Sequence, residues 1–160
     1  MPARLSQAQR ERFLSGRHVA VLVTNGTDGH PVPTPIWYFY RDGAFHFRTE
    51  YGAIKTQNIL RDAKVSVCVQ EERAPYKAVI AYGKAEVGNK LDWLAGMPRH
   101  YLGLIGGIGY ERTAQHLIES GPEVSLVVRP ERYVTFDFGA DTPLVGRLWL
   151  LAKRVLPPWL

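Results

Sequence analysis

Three prolines stand two residues apart, at Pro31, Pro33 and Pro35, in a stretch of residues 31–40 that otherwise reads as a strand. Successive strand residues send their N–H groups to opposite sides, so all three prolines lack a donor on the same side. That side is an open edge or a gap in the ladder. Trp37 continues the series, and its N–H and C=O point into the gap, free to bond the polar edge of a planar ligand. An edge strand guarded by prolines against aggregation fits the same pattern, and the prolines alone leave both readings open.

A second group of residues follows one hairpin later. In Arg48-Thr49-Glu50-Tyr51-Gly52-Ala53-Ile54-Lys55 a strand ends and a helix begins. Helix N-termini present free N–H groups and a positive dipole end, so a phosphate fits there with the Thr49 hydroxyl and the Lys55 ammonium completing its shell. Taken alone, such a junction also reads as an ordinary helix start with solvated charges. The hairpin changes the weight of that reading, because it sets the open strand and the helix start side by side.

Other chemistry is thinner. The five histidines show no metal-ligand spacing, so no metal site is expected. The run Gly103-Leu104-Ile105-Gly106-Gly107-Ile108-Gly109 follows no strand, as a dinucleotide loop should, and reads as a connection between helices. Tyr38, Tyr76 and His46 carry transferable protons, yet none is marked out as a catalytic acid, and the catalytic residues stay unassigned. The single cysteine, Cys68, sits in an apolar run, excludes an internal disulfide and reads as a buried, inert thiol in a reducing compartment.

The elements that must hold these residues are mostly strands. Ser6 caps a short helix over 7–15, with Gln9 at the capping-box position and Leu5, Phe13 and Leu14 on one side. Strands are expected at 18–24, 31–40 and 44–49 as a meander, turned at Asn25-Gly26, Asp28-Gly29 and Arg41-Asp42-Gly43. A short helix spans 52–61, then strands 65–70 and 76–87, the second bent at Gly83. Helices are expected at 91–101 and 110–120, and two last strands at 123–128 and 133–138, broken by Pro130. Six or seven strands with few helices argue for an antiparallel barrel and against a doubly wound sheet. The 160 residues suit one domain, 1–160, with a barrel core over about 10–138 and a tail over 139–160. The net charge of +5 favours acidic partners, but no basic run interleaved with aromatics precedes the C-terminus, so nucleic acid is not expected. The polar N-terminus has no signal-peptide core, which gives a cytoplasmic reading.

The order His30-Pro31-Val32-Pro33-Thr34-Pro35-Ile36-Trp37-Tyr38, Phe45 to Thr49, Lys55-Thr56-Gln57-Asn58-Ile59-Leu60-Arg61-Asp62 and Val65-Ser66-Val67 resembles the pyridoxamine 5'-phosphate oxidase-like split-barrel family. Pro75-Tyr76-Lys77, Gly83-Lys84-Ala85, Arg99 to Gly103 and Val134 to Phe138 extend the likeness. The resemblance implies a homodimeric split barrel that binds FMN or the deazaflavin F420 between protomers. The ring would lie along Pro35, Ile36, Trp37 and Tyr38, with Thr49 and Lys55 on the phosphate, Arg48 beside them, and Tyr76 and Lys77 completing the pocket. Where true pyridoxamine phosphate oxidases carry an Arg-Lys pair, this chain has Ile54-Lys55, and their C-terminal Trp-and-Arg signature is missing.

The implied function is hydride transfer between a flavin-type cofactor and a small organic substrate. F420 is slightly preferred over FMN, because its acidic tail suits Arg48, Arg61, Lys64, Arg73 and Lys77. The alternative is a non-catalytic carrier of a flavin, deazaflavin or haem. The tail 144–160 reads as an amphipathic helix ended by Pro157-Pro158. It is too short to span a bilayer and is suited to packing on the dimer or to peripheral contact with an anionic membrane.

Overall fold

The computed structural model describes residues 4–114, 122–140 and 146. The expected tail helix, and the end of the helix expected at 110–120, lie outside the described residues.

In chain order the elements are α1 (Gln7–Leu14), β1 (Ala20–Asn25), β2 (Pro31–Ile36), β3 (Tyr38–Arg41), β4 (Ala44–Glu50), α2 (Ile54–Arg61), β5 (Lys64–Gln70) and β6 (Lys77–Asn89). A 3-10 turn (Asp92–Gly96), α3 (Met97–Ala114) and β7 (Glu123–Asp137) complete them. The seven strands form one antiparallel sheet in the order β2-β1-β5-β6-β7-β4-β3. Its two terminal strands, β2 and β3, are consecutive pieces of one extended stretch separated only by Trp37. The sheet therefore curls back on itself.

The ladder records how it closes. From Ile36 the pairing runs through Ala20 and Val69 to Val79 on β6. From Tyr38 it runs through Phe47 and Leu126 to Val87 on the same strand. Arriving at staggered positions is what closing a tilted sheet into a barrel requires. The fold is thus a mostly antiparallel split barrel with helices at its margins.

The expected meander with a single strand over 31–40 is corrected at Trp37, where the stretch changes partner. The prolines explain the change. A segment without donors on one side pairs with β1 alone, and β4 takes over once ordinary N–H groups resume at Tyr38. The open edge inferred from the prolines is present on β2, which has β1 as its only described partner.

Two other expectations are corrected. Pro130 does not break the last strand, because it sits opposite Gly83 at a register shift where the ladder is already irregular. Gly83 itself must be glycine: a Cβ there would run into the Arg129 carbonyl oxygen and lie 2.9 Å from Pro130 Cα. The connection expected over Gly103 to Gly109 shrinks to Gly103, where two helical segments of α3 meet at φ 74° and ψ 178°; the later glycines lie within the second segment. Gly107 lets the helix close on itself, since a Cβ would stand 2.6 Å from Arg99 Cα.

Inside the barrel, inward side chains alternate along each strand. Leu22, Phe45, Phe47, Val67, Val69, Val79, Leu126 and Val128 are fully buried. Ser6 and Gln9 form the capping box of α1, which drops Leu14 into the core. The Tyr38 hydroxyl holds the helix there by donating to the Leu14 carbonyl at 2.9 Å.

Candidate cofactor site

At the split, Tyr38 is the last residue paired across to β4, opposite Phe47. Beyond it the two chains diverge. One side carries Trp37, Ile36 and Pro35; the other continues as Arg48, Thr49 and Glu50 along β7 and then turns into α2. Pro35, Ile36, Trp37 and Tyr38 thus lie on one arm of the split, and Arg48 and Thr49, with Ile54 and Lys55 following in α2, on the other.

The helix start is built to leave donors open. Ala53 is the N-cap and no side chain caps it. Thr56 is fully buried and turns its hydroxyl away, donating to the Glu50 carbonyl at 2.8 Å, while Gln57 donates to Tyr51 O at 2.7 Å. Asn58, also buried, anchors the helix to β1 through Thr24 Oγ1 at 3.0 Å. Thr56 N–H closes back on the Ala53 carbonyl at 2.9 Å, so the Ile54 and Lys55 N–H groups are the ones left at the positive dipole end.

Lys55 stands there half-buried. Burial pushes its ammonium below the usual lysine range, and the neighbouring Glu50 only partly offsets this. No salt bridge to Lys55 is found among the described residues. A partly desolvated cation with no salt bridge among the described residues, beside an uncapped helix start, fits an anion such as a phosphate. Ile54, where a second cation would sit in a true pyridoxamine phosphate oxidase, is 70% exposed.

The other two predicted cations are already engaged. Arg48 Nη2 meets Glu123 Oε2 at 2.6 Å, and Lys90 stands 3.9 Å from the same carboxylate oxygen. Lys77 Nζ lies 3.5 Å from Asp137 Oδ2. Lys77 is also remote from Lys55 within one chain. It opens β6 at the Asp137 end, whereas α2 is followed by Ala63, whose carbonyl bonds Ala85 N–H eight residues further along. That is about 26 Å of strand contour. Tyr76, half-exposed, travels with Lys77.

At the split a residue not singled out from the sequence dominates. Tyr101 of α3 sends its hydroxyl between the Tyr38 main chain and the start of β1, on the side of the strand away from the proline opening, 2.6 Å from the His18 carbonyl and 2.9 Å from the Tyr38 carbonyl, and accepts from Tyr38 N–H at 3.3 Å. Its ring stacks on Trp37 at 5.0 Å and 8°, and Tyr110 leans on the same indole at 5.4 Å. Nothing local in the sequence announces a contact between residues 63 positions apart.

Two of the three candidate proton donors find other roles. Tyr38 faces the core, and burial drives its hydroxyl well above the ordinary tyrosine range. His46 lies against Trp93, ring centroids 4.9 Å apart, and burial lowers its pKa.

A curled antiparallel sheet whose two edge strands are consecutive pieces of one extended stretch defines a split-barrel architecture. The family model for pyridoxamine 5'-phosphate oxidase matches residues 6–136, and the chain belongs to that family. Among solved structures, the hypothetical protein Rv2991 from Mycobacterium tuberculosis is 22% identical, with a TM-score of 0.69 over 87% of this chain and 89% of its own. An FAD-binding protein from Mesorhizobium loti is 21% identical, with a TM-score of 0.60 over 84% and 96%. An F420 reductase is 19% identical, with a TM-score of 0.57 over 78% and 94%. At these identities the likeness is one of fold. No curated protein matches the sequence significantly. Among the described residues there is no cluster of potential metal ligands, and no helix is long and apolar enough to cross a membrane.

Proposed function

We propose that this protein is an oxidoreductase that binds F420, or failing that FMN, and transfers a hydride between it and a small organic substrate. The observation that carries this reading is Lys55, a half-buried cation that makes no salt bridge among the described residues and has only the charge of Glu50 near it, set at an uncapped helix start beside the strand split. Thr49 and Lys55 would hold the phosphate, with the ring along Pro35 to Tyr38. When bound, the cofactor supplies the hydride chemistry, and the fold supplies orientation and electrostatics. Ile54 in place of a second phosphate cation favours F420 over FMN.

A homodimer completes the proposal. Because Lys77 and Tyr76 lie far from Lys55 in their own chain, they join the site only from a second copy. One outward surface supports that reading. Val21, Cys68, Ile80 and Val134 form an outward row across four paired strands and are all partly exposed. The test is titration with FMN and F420, alongside the absorbance spectrum and mass of whatever co-purifies. Saturable binding of either, lost on adding phosphate competitor, is expected; no binding of either overturns the reading.

A further inference from the structure

We propose that Tyr101 is a positioning residue of the cofactor site, acting from the far side of the strand: its hydroxyl fixes the peptide plane whose other edge, the Trp37 carbonyl, faces the position proposed for the ring. The inference rests on the cofactor reading above, since it concerns how the ring's main-chain contacts are held. The register shows what the hydroxyl replaces. Ala20 pairs with Ile36 at the start of β1, so the same register two residues on would set His18 opposite Tyr38. Val32, Thr34 and Ile36 alternate with the prolines and turn their N–H groups toward β1, and Tyr38 continues that series. A continued ladder would send the Tyr38 N–H to the His18 carbonyl. Tyr101 stands between the two: its oxygen accepts from Tyr38 N–H at 3.3 Å and donates to the His18 carbonyl at 2.6 Å. The Tyr38 carbonyl, 2.9 Å away, is the second acceptor open to that one proton. The rung is widened by one hydroxyl instead of being lost.

A peptide unit is planar and trans, so the Tyr38 N–H and the Trp37 carbonyl lie in one plane and point in opposite directions. Holding the N–H on the β1 side therefore aims the carbonyl at the proline side. Trp37 itself pairs with neither β1 nor β4, so the hydroxyl supplies a restraint that the ladder does not. The phenol adds another, stacking on the Trp37 indole at 5.0 Å and 8°. Its own mount is firm. Leu94, Met97 and Pro98, where the 3-10 turn meets α3, are buried, and Gly107 lets the second half of the helix close on Arg99. Burial also raises the Tyr101 pKa, so the hydroxyl keeps the proton it donates.

The experiment compares wild type with Tyr101→Phe, which keeps the stack and removes the hydroxyl, and with Tyr40→Phe as a control. Tyr40 also loses a half-buried hydroxyl, but one bonded to Tyr133 at 3.0 Å and to Glu11 of α1. FMN and F420 are titrated by fluorescence, inorganic phosphate is scored as a competitor, and exchange of the Tyr38 amide is followed by NMR. In the free protein, Tyr101→Phe should speed exchange at the Tyr38 amide, whose acceptor is gone. It should also weaken whichever probe binds by about three- to tenfold, the range of one hydrogen bond, and shift the absorption band of the bound probe. The phosphate competition constant should keep its wild-type value, since Lys55 lies on the other arm. Tyr40→Phe should change none of these readings. Unchanged exchange at Tyr38, or faster exchange with probe affinity and spectrum unchanged, overturns the positioning role and leaves the site reading standing. Equal losses of probe and phosphate affinity overturn it too, as a general loosening of the site. If neither probe binds the wild type, the site reading falls and the proposal with it.

Discussion

Lys55 and Arg48 are both cations at the split, yet their surroundings assign them opposite work. Lys55 makes no salt bridge among the described residues and is partly desolvated, so under the proposed function a phosphate would relieve it; Arg48 is held by Glu123. Lys55→Ala should therefore weaken cofactor binding by about 1.5–3 kcal/mol, the range of a charge-assisted contact, with little change in the unfolding midpoint. Arg48→Ala should do the reverse, costing about 1–3 kcal/mol of stability by stranding the Glu123 carboxylate while affinity changes little. Titration and chemical denaturation of both variants at fixed salt distinguish the two. Under the proposed function Lys77 would carry the choice of cofactor. If it reads an acidic tail, Lys77→Glu weakens F420 more than FMN, and salt erodes F420 affinity more steeply. Equal effects on the two ligands would remove the F420 preference.

At the scale of elements, the outer face of the β3–β4 hairpin is covered by the 3-10 turn and α3 through two histidines, His46 partly buried and His100 exposed. His46 and His100 both have pKa values lowered from 6.5, chiefly by desolvation. Arg129 and Arg41 oppose protonation of His46 while Asp42 and a backbone bond from Arg41 favour it, and Arg17 opposes protonation of His100. His46 Nδ1 is buried with no hydrogen-bond partner, so a proton there gains no acceptor. The unfolded chain binds more protons than the folded one between the lowered values and 6.5. Stability should thus be full above 6.5 and fall as pH drops below it, with α3 amides losing protection first. Melting curves and exchange at pH 7.5 and 5 check this, and His46→Phe should flatten the dependence. Gly83→Ala drives a methyl into β7 backbone and should cost about 1–3 kcal/mol, read as a lowered denaturation midpoint.

These elements also mark where the sequence was legible. The capping box at Ser6, the hairpin turns, the alternating strands and the bend at Gly83 are local features, and each lies where the residues indicated. The partner exchange at Trp37 is not local: three prolines announce an open side, but which strands flank it depends on β4 and β7. Pro130 misled because its missing donor coincides with a bulge formed by Gly83 across the ladder. The glycines of α3 misled because close packing of Gly107 on Arg99 outweighs their weak helix propensity. In the site, the strand and helix start were readable because one hairpin joins them. Tyr101, and the ion pairs that occupy Arg48 and Lys77, come from distant segments.

Over the whole molecule, the separation of Lys55 from Lys77 makes the proposed dimer testable by complementation. Light scattering should return twice the mass of one chain, and a monomer binding at full affinity would end the proposal. Mixing Lys55→Ala with Lys77→Glu protomers should, on random exchange, restore about a quarter of the high-affinity sites, since each mixed dimer rebuilds one intact site. If both residues served from one chain, each mixed dimer would instead carry two damaged sites and mixing would restore none.

β7 pairs with β6 on one flank and β4 on the other, and it is the last of the described strands to be made. As the chain leaves the ribosome, β1 through β6 can already pair locally, but their sheet stays open along β4 and β6 until residues 123–137 emerge. Phe45, Phe47 and Val79 face water during that interval, and two bare strand edges invite neighbours on the same message to join them. Nascent chains halted before residue 123 should therefore engage chaperones strongly, and release beyond 137 should end that engagement in one step.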